Sequence, residues 1–249
     1  MPCRGRRPRI WAGHSSIGAS SPCNPATCGP IRHIVIIVKE NRSFDNIFGQ
    51  FPGADGTKYA WVGNRRILMP DTPDSLSFDI AHGGPQAIAA VNNGRMNQFY
   101  LESHAIQDSV DAADSEFRRK DIPAYYTYAG DFALADHFFS NVLGPSFPNH
   151  LALITGNTFN LIDNPQNPNK SHDIRWGCDG ATNSRAPTFV NGKRHYVFPC
   201  FNTQTLTDEA NAAGVSWRDY ALPRGKFGYV WNALDAIKHI RYSSQWHTK

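Results

Sequence analysis

Residues 33–49 read HIVIIVKENRSFDNIFG. Five apolar residues, Ile34 to Val38, run without a break into Lys39, Glu40, Asn41 and Arg42. A run that is apolar on both faces fits a strand at the centre of a parallel sheet covered by helices. Each Ile or Val buried there would contribute roughly 1.5–3 kcal/mol. Open α/β sheets bind their ligands beyond the carboxyl ends of the strands. A strand over 33–38 would therefore deliver Glu40 and Asn41 to a ligand-binding edge. The same pattern predicts a helix over 41–48, with Asn41 as its N-cap.

The rest of the chain alternates in a compatible way. Residues 50–80, with Gly53, Gly56, Pro70 and Pro73, read as loop, and 84–118 as helical or irregular. The segment 121–142 reads as a helix, a turn at Gly130 and a strand toward Val142. LGPSFPNHLALITG, 143–156, reads as a tight loop and a helix, with Pro148 in its first turn and Gly156 just past its end. Residues 157–203, rich in Asn and Pro, read as a long insertion over one face. A short helix over 205–214 ended by Gly214, a strand over 215–222 and a helix over 232–240 follow. Strand–helix–strand alternation predicts an α/β sheet with helices on both faces.

Length and composition bound the function. The chain has 249 residues, 41% of them hydrophobic, 12% aromatic and 18% charged, which suits a folded globular protein. The net charge of +4 is mild. Arg4, Arg6, Arg7, Arg9 and Arg32 supply much of it from a start that has no acid. Residues 1–30 therefore read as a basic tail rich in Gly, Ser, Pro and Cys, and 31–249 as the folded domain. No basic face marks the folded part for nucleic acid. No apolar run approaches the roughly 18 residues of a membrane span. The basic start is not followed by the apolar stretch of a signal peptide. The five cysteines lack paired CxxC spacing, which disfavours a zinc site. Cys178 and Cys200 bracket a loop and are either a disulfide, which would suit an exported protein, or two buried thiols.

Three groups could carry chemistry. Glu40 and Asn41 offer a carboxylate and an amide oxygen, hard donors suited to a divalent ion such as Mg, Ca or Mn. An ordinary helix cap with a salt bridge is the plainer reading of the same residues. Ser146, in GPSFPNH, precedes a predicted helix, and a helix N-terminus favours anions, phosphate included. A serine there could attack phosphorus with its alkoxide stabilised by a metal, or could be a simple N-cap. It does not lie in a G-x-S-x-G elbow, which disfavours a Ser-His-Asp esterase. His82, in DIAHGGP, could donate to a phosphoryl oxygen or act as general acid, although a lone histidine is more often structural. No HExxH pair is present, so a zincin is excluded.

Taken together, HIVIIVKENRSFDNIFG, DIAHGGPQAIAAVNNGRMNQF and ALADHFFSNVLGPSFPNHLALITG resemble the bacterial phosphoesterase family of phospholipases C and related acid phosphatases. WGCDG, FPCFNTQTL, GVSWRDYA, GYVWNALDAI and IRYSSQW continue the likeness over about residues 31–249. The resemblance implies an alkaline-phosphatase-like α/β/α sandwich with a mainly parallel sheet. It implies hydrolysis of phosphoric esters, either phospholipids or small phosphomonoesters, through a covalent phospho-enzyme, and commonly export from the cell. Ser146 matches the nucleophile position, Glu40, Asn41 and Ser146 match metal-site positions, and His82 matches a histidine beside the substrate phosphate. Relatives are longer, and their later half carries an acidic pair and further histidines. The resemblance therefore places this chain in the N-terminal part of such a domain. Two expectations follow. One is a metal-assisted phosphoesterase, completed where necessary by more polypeptide. The other is an inactive remnant that binds phosphate or a partner without turnover.

Overall fold

The computed structural model describes residues 31–166 and 176–246. The basic tail, residues 1–30, lies outside the described residues. Their architecture is mixed α/β, built from six short helices and three two-stranded antiparallel hairpins. The helices are α1 (Phe44–Phe48), α2 (Gly84–Val91), α3 (Pro123–Asp131), α4 (Ser146–Thr155), α5 (Leu206–Ala212) and α6 (Lys238–Arg241). The hairpins pair β1 (Tyr59–Val62) with β2 (Arg65–Leu68), β3 (Ile106–Gln107) with β4 (Val110–Asp111), and β5 (Ala186–Val190) with β6 (Lys193–Val197).

Two sequence expectations are corrected here. Residues 33–38 form no strand, and each of Ile34 to Val38 is more than half exposed, from 57% for Val38 to 83% for Ile34. A strand has no internal hydrogen bonds and exists only when a neighbour pairs with it. The described residues supply no neighbour, so the apolar run stays extended and unpaired. The same reason removes the strands expected toward Val142 and over 215–222. With them goes the mainly parallel sheet: parallel pairing survives among the described residues only as the isolated bridges Asp71–Glu116 and Phe201–Ile237.

The helix expected over 41–48 begins later, at Phe44, and its N-cap is Ser43. Asn41 has φ +64° and sits in a left-handed reversal, a conformation Asn tolerates better than most residues. The Ser43 hydroxyl accepts from the amide of Asn46 at 3.2 Å, and Asp45 lies in the positive first turn. Asn46 then anchors α1. Its Nδ2 donates to the Ser115 carbonyl at 2.7 Å and to Thr72 Oγ1 at 2.9 Å. Beside this anchor, buried Glu116 pairs with Arg118 and Gln50.

The core forms around α4, whose helical pattern the sequence carried. Phe147 and Leu151 of α4 pack with Leu161, Ala186, Leu234, Ala236, Ile237 and Ile240, all buried. Gly156, at φ +64°, ends α4 as expected. Cys178 and Cys200 form a disulfide. Next to it, Arg241 grips the buried Asp179 through Nε at 3.1 Å and Nη2 at 3.0 Å, and Tyr229 donates its hydroxyl to the same carboxylate at 2.9 Å. The segment 160–166 lies along β5, with Ile162 N donating to the Pro187 carbonyl and Phe189 N to Asn160. That contact fixes the chain that passes in front of α4.

Asp114, beside the α1 anchor, gives the fold a pH dependence. Burial, then the neighbouring Asp111 carboxylate, push its pKa from 3.8 up to about 7. Folding therefore favours its protonated form. The stability tied to that proton is complete below the unfolded value and is lost as pH rises through about 7. Asp114→Asn, neutral at every pH, removes this loss. Urea unfolding from pH 4 to pH 8 is expected to show wild type declining relative to Asp114→Asn as pH rises. Parallel curves would contradict this account of Asp114.

Candidate active site

Ser146 opens α4, following Pro145 at the N-cap. The core side of the helix carries Phe147, Pro148, Leu151 and Ala152. Ser146, Asn149 and His150 follow the i, i+3, i+4 spacing and so share another side. Ser146 is half-buried, and its hydroxyl makes no hydrogen bond among the described residues. The first-turn amides are largely spoken for. Phe147 N donates to Asn164 Oδ1 at 2.9 Å, and Pro148 has no N–H. The amide of Ser146 itself has no acceptor among the described residues. Among the described residues the helix start is thus a narrower anion site than its position suggested, with one backbone donor beside one unbonded hydroxyl.

Glu40 reaches this helix through His150. Glu40 Oε2 lies 3.0 Å from His150 Nε2, with the histidine side chain 12% exposed and the carboxylate side chain 30%. The contact bridges 110 residues of sequence and brings Glu40 to one turn from Ser146. Asn41 follows in its left-handed turn, exposed, with its own carbonyl taken by Arg42 Nη1 at 2.9 Å. The Asn41 amide takes no partner among the described residues.

His82 arrives by a backbone route. It precedes Gly83 and Gly84 at the start of α2, and Gly84 packs against the carbonyl of Ile162. A methyl group on Gly84 would collide with that carbonyl, so the close approach needs glycine. Gly144, two residues before Ser146, also comes close: a methyl group on it would stand 3.8 Å from the Gly84 Cα and 3.4 Å from the Ile162 carbonyl oxygen. His82 Nδ1 is 2.6 Å from the Ile80 carbonyl, which requires the proton on Nδ1 and leaves Nε2 as the second face of the ring. Asp79 lies 3.8 Å from the same Nδ1.

Segments distant in sequence therefore meet α4 and the loop before it: Glu40 and Asn164 contact the helix, and Gly84 approaches Gly144. None of the four candidate side chains, Glu40, Asn41, His82 and Ser146, hydrogen-bonds another among the described residues. Sequence reasoning missed Asn149, His150 and Asn164. The first two were legible as positions three and four residues from Ser146. Asn164 carried no signal, because its segment read as an insertion.

A family model described as the Phosphoesterase family matches residues 31–247. The chain belongs to that family. Hemolytic phospholipase C of Pseudomonas aeruginosa is 25% identical over 232 residues, covering 88% of this chain and 30% of that protein. Phospholipase C B of Mycobacterium tuberculosis is 27% identical over 229 residues, covering 81% of this chain and 40% of that protein. Non-specific phospholipase C1 of Arabidopsis thaliana is 28% identical over 142 residues, 49% of this chain and 26% of that protein. The chain thus spans 30–40% of the length of the two bacterial relatives.

The donor chemistry of Glu40, Asn41 and Ser146 fits a hard divalent ion: one carboxylate, one amide oxygen and one hydroxyl. Among the described residues no group of three or more His, Cys, Asp and Glu side chains adds to it. The rest of a coordination shell would have to come from substrate oxygens, water or further polypeptide.

The Gly84 contact can be tested apart from any chemistry. Gly84→Ala is expected to destabilise by roughly 1–3 kcal/mol, as overpacking does. Gly130→Ala, in α3 with open space around it, is expected to stabilise by about 0.5–1 kcal/mol. Urea melts of both variants check this, and equal effects would contradict the close approach of Gly84 to the Ile162 carbonyl.

Proposed function

We propose that this chain hydrolyses phosphoric esters through a covalent phosphoserine at Ser146. The observation that carries the proposal is the meeting at α4: a serine with no side-chain hydrogen bond among the described residues opens the helix, and Glu40 is tethered one turn along it by His150. Membership of the phosphoesterase family supports the same reaction class.

In the first half-reaction Ser146 Oγ attacks phosphorus and the ester P–O bond breaks. The Ser146 proton passes to solvent water as its oxygen bonds phosphorus, and the departing alkoxide must gain a proton in turn. His82 is the residue proposed to donate it, from Nε2, while its Nδ1–H stays on the Ile80 carbonyl and fixes the ring. The Ser146 amide can donate to a phosphoryl oxygen that gains charge. In the second half-reaction water attacks phosphorus and loses a proton to His82 Nε2, the P–Oγ bond breaks, and Ser146 Oγ regains a proton from solvent. Glu40, Asn41 and the Ser146 hydroxyl would hold a divalent ion, whose charge eases ionisation of the serine and offsets that of the phosphoryl oxygens. Metal dependence is part of this proposal.

The substrate class we infer is a phospholipid of the kind implied by the relatives' names, or a small phosphomonoester, as in acid phosphatases. An alkaline-phosphatase-like sandwich would bury the apolar run 34–38 in its sheet. The Cys178–Cys200 disulfide is consistent with an exported protein. Among the described residues no helix is long and apolar enough to cross a membrane. A second reading is favoured by the exposure of Ile34 to Val38 and by the sparse donor set. In it, residues 1–249 bind phosphate or a partner without turnover, and catalysis needs more polypeptide.

The test is hydrolysis of p-nitrophenyl phosphate and p-nitrophenylphosphorylcholine by the purified chain, with and without chelator, beside Ser146→Ala. The proposal predicts turnover that chelator abolishes and that Ser146→Ala lowers by about 10³-fold or more. No turnover from folded protein would overturn it in favour of the second reading. Turnover that survives Ser146→Ala would overturn the serine's role.

A further inference from the structure

Asn149 makes five hydrogen bonds, all to the segment that leads into Ser146. Its Oδ1 accepts from the amides of Asn141 and Val142, each at 3.1 Å. Its Nδ2 donates to the carbonyls of Val142 and Gly144 at 3.2 Å and of Pro145 at 3.1 Å. The side-chain amide is saturated at both ends, and its partners span residues 141–145.

From this geometry we propose that Asn149 is a positioning residue for the phosphoryl-transfer reaction, fixing where Ser146 Oγ points. The inference rests on the reading of Ser146 as nucleophile. The loop before Ser146 has little else to hold it. Asn141 and Leu143 are exposed, Val142 and Gly144 half-buried, and only Pro145 is fully buried. Hydrophobic burial therefore does not determine the loop's path, and the Asn149 amide does. The core side of α4, Phe147 and Leu151, packs independently of that amide. Loss of Asn149 should release the loop and Ser146 while leaving the core in place.

Asparagine suits this task for a stated reason. It offers two N–H donors and a carbonyl acceptor at the end of one methylene. Aspartate has the same shape but cannot donate, and would face three carbonyls with a negative charge. Glutamine carries the same groups one methylene further out. Angular precision in a nucleophile matters because displacement by about 1 Å can cost about 10²-fold in rate.

The experiment measures kcat and KM for p-nitrophenyl phosphate with the full chain, comparing wild type, Asn149→Ala, Asn149→Asp, Ser146→Ala and the Ser146→Ala/Asn149→Ala double variant. Thermal melts identify folded protein. If Asn149→Ala does not fold, Asn149→Ser, which keeps one donor and one acceptor, is read in its place. The expected result is a fall in kcat of about 10²-fold with KM changed by less than about 3-fold. The double variant should be no slower than Ser146→Ala alone, because a residue that acts through the serine has nothing left to position. Unchanged kcat in a folded Asn149 variant, beside an active wild type, would overturn the positioning role and leave the nucleophile reading standing. Losses that multiply in the double variant would overturn it as well. A wild type without Ser146-dependent turnover would overturn the nucleophile reading and this inference with it.

Discussion

The Glu40–His150 contact joins a segment with no strand pairing to the helix that carries the candidate nucleophile. Residues 31–40 hold no secondary structure, and their apolar side chains face solvent. What secures their end is polar. Glu40 meets His150 at 3.0 Å, and Lys39 reaches Tyr125, with its ammonium 4.8 Å from the ring centroid. Exposed or partly buried contacts of this kind are modest in energy but directional, so they determine geometry more than stability. Downstream, Ser43 caps α1 and Asn46 pins it to residues 72 and 115. The ENRSFD segment is therefore gripped on both sides of Asn41, in a short reversal between α1 and α4.

How legible this was depended on the kind of interaction involved. α4 and α5 were readable because their signals are local. Gly156 ends one helix, and Thr205 with Asp208 forms a capping box at the start of the other. The disulfide was one of two open alternatives from the cysteine positions. The run 33–38 misled because apolar patterning reports a wish for burial and cannot supply the strand that would pair with it. Hairpin β5–β6 was overlooked for the opposite reason. Asn191-Gly192, both at positive φ, is the strongest short hairpin signal, and it was lost inside a segment judged by its composition. The candidate residues Glu40, Asn41, His82 and Ser146 came from motif resemblance. Asn149 and His150 were legible only as positions along one helix, and their roles, like that of Asn164, emerged from hydrogen bonds.

The site also shows a division of labour among its supports. His150 positions an acid, Asn149 shapes a loop, Asn164 takes a helix amide, and Gly84 allows two backbones to meet. None of these needs to touch substrate. Each acts on a group that would. Asn149 and His150 lie on α4 itself, while Asn164 and Gly84 approach its start from other segments. This is the physical sense in which α4 organises the site, and it follows from one helix presenting its core side inward and Ser146, Asn149 and His150 along another side.

The central claim is that Ser146 bonds phosphorus. Acid-quenching the chain during incubation with p-nitrophenyl phosphate and divalent metal, followed by peptide mass mapping, tests it most directly. The account predicts phosphoserine at Ser146, absent from the no-metal control. Phosphate found on another residue, or turnover with no phosphorylated peptide at any time point, would contradict it.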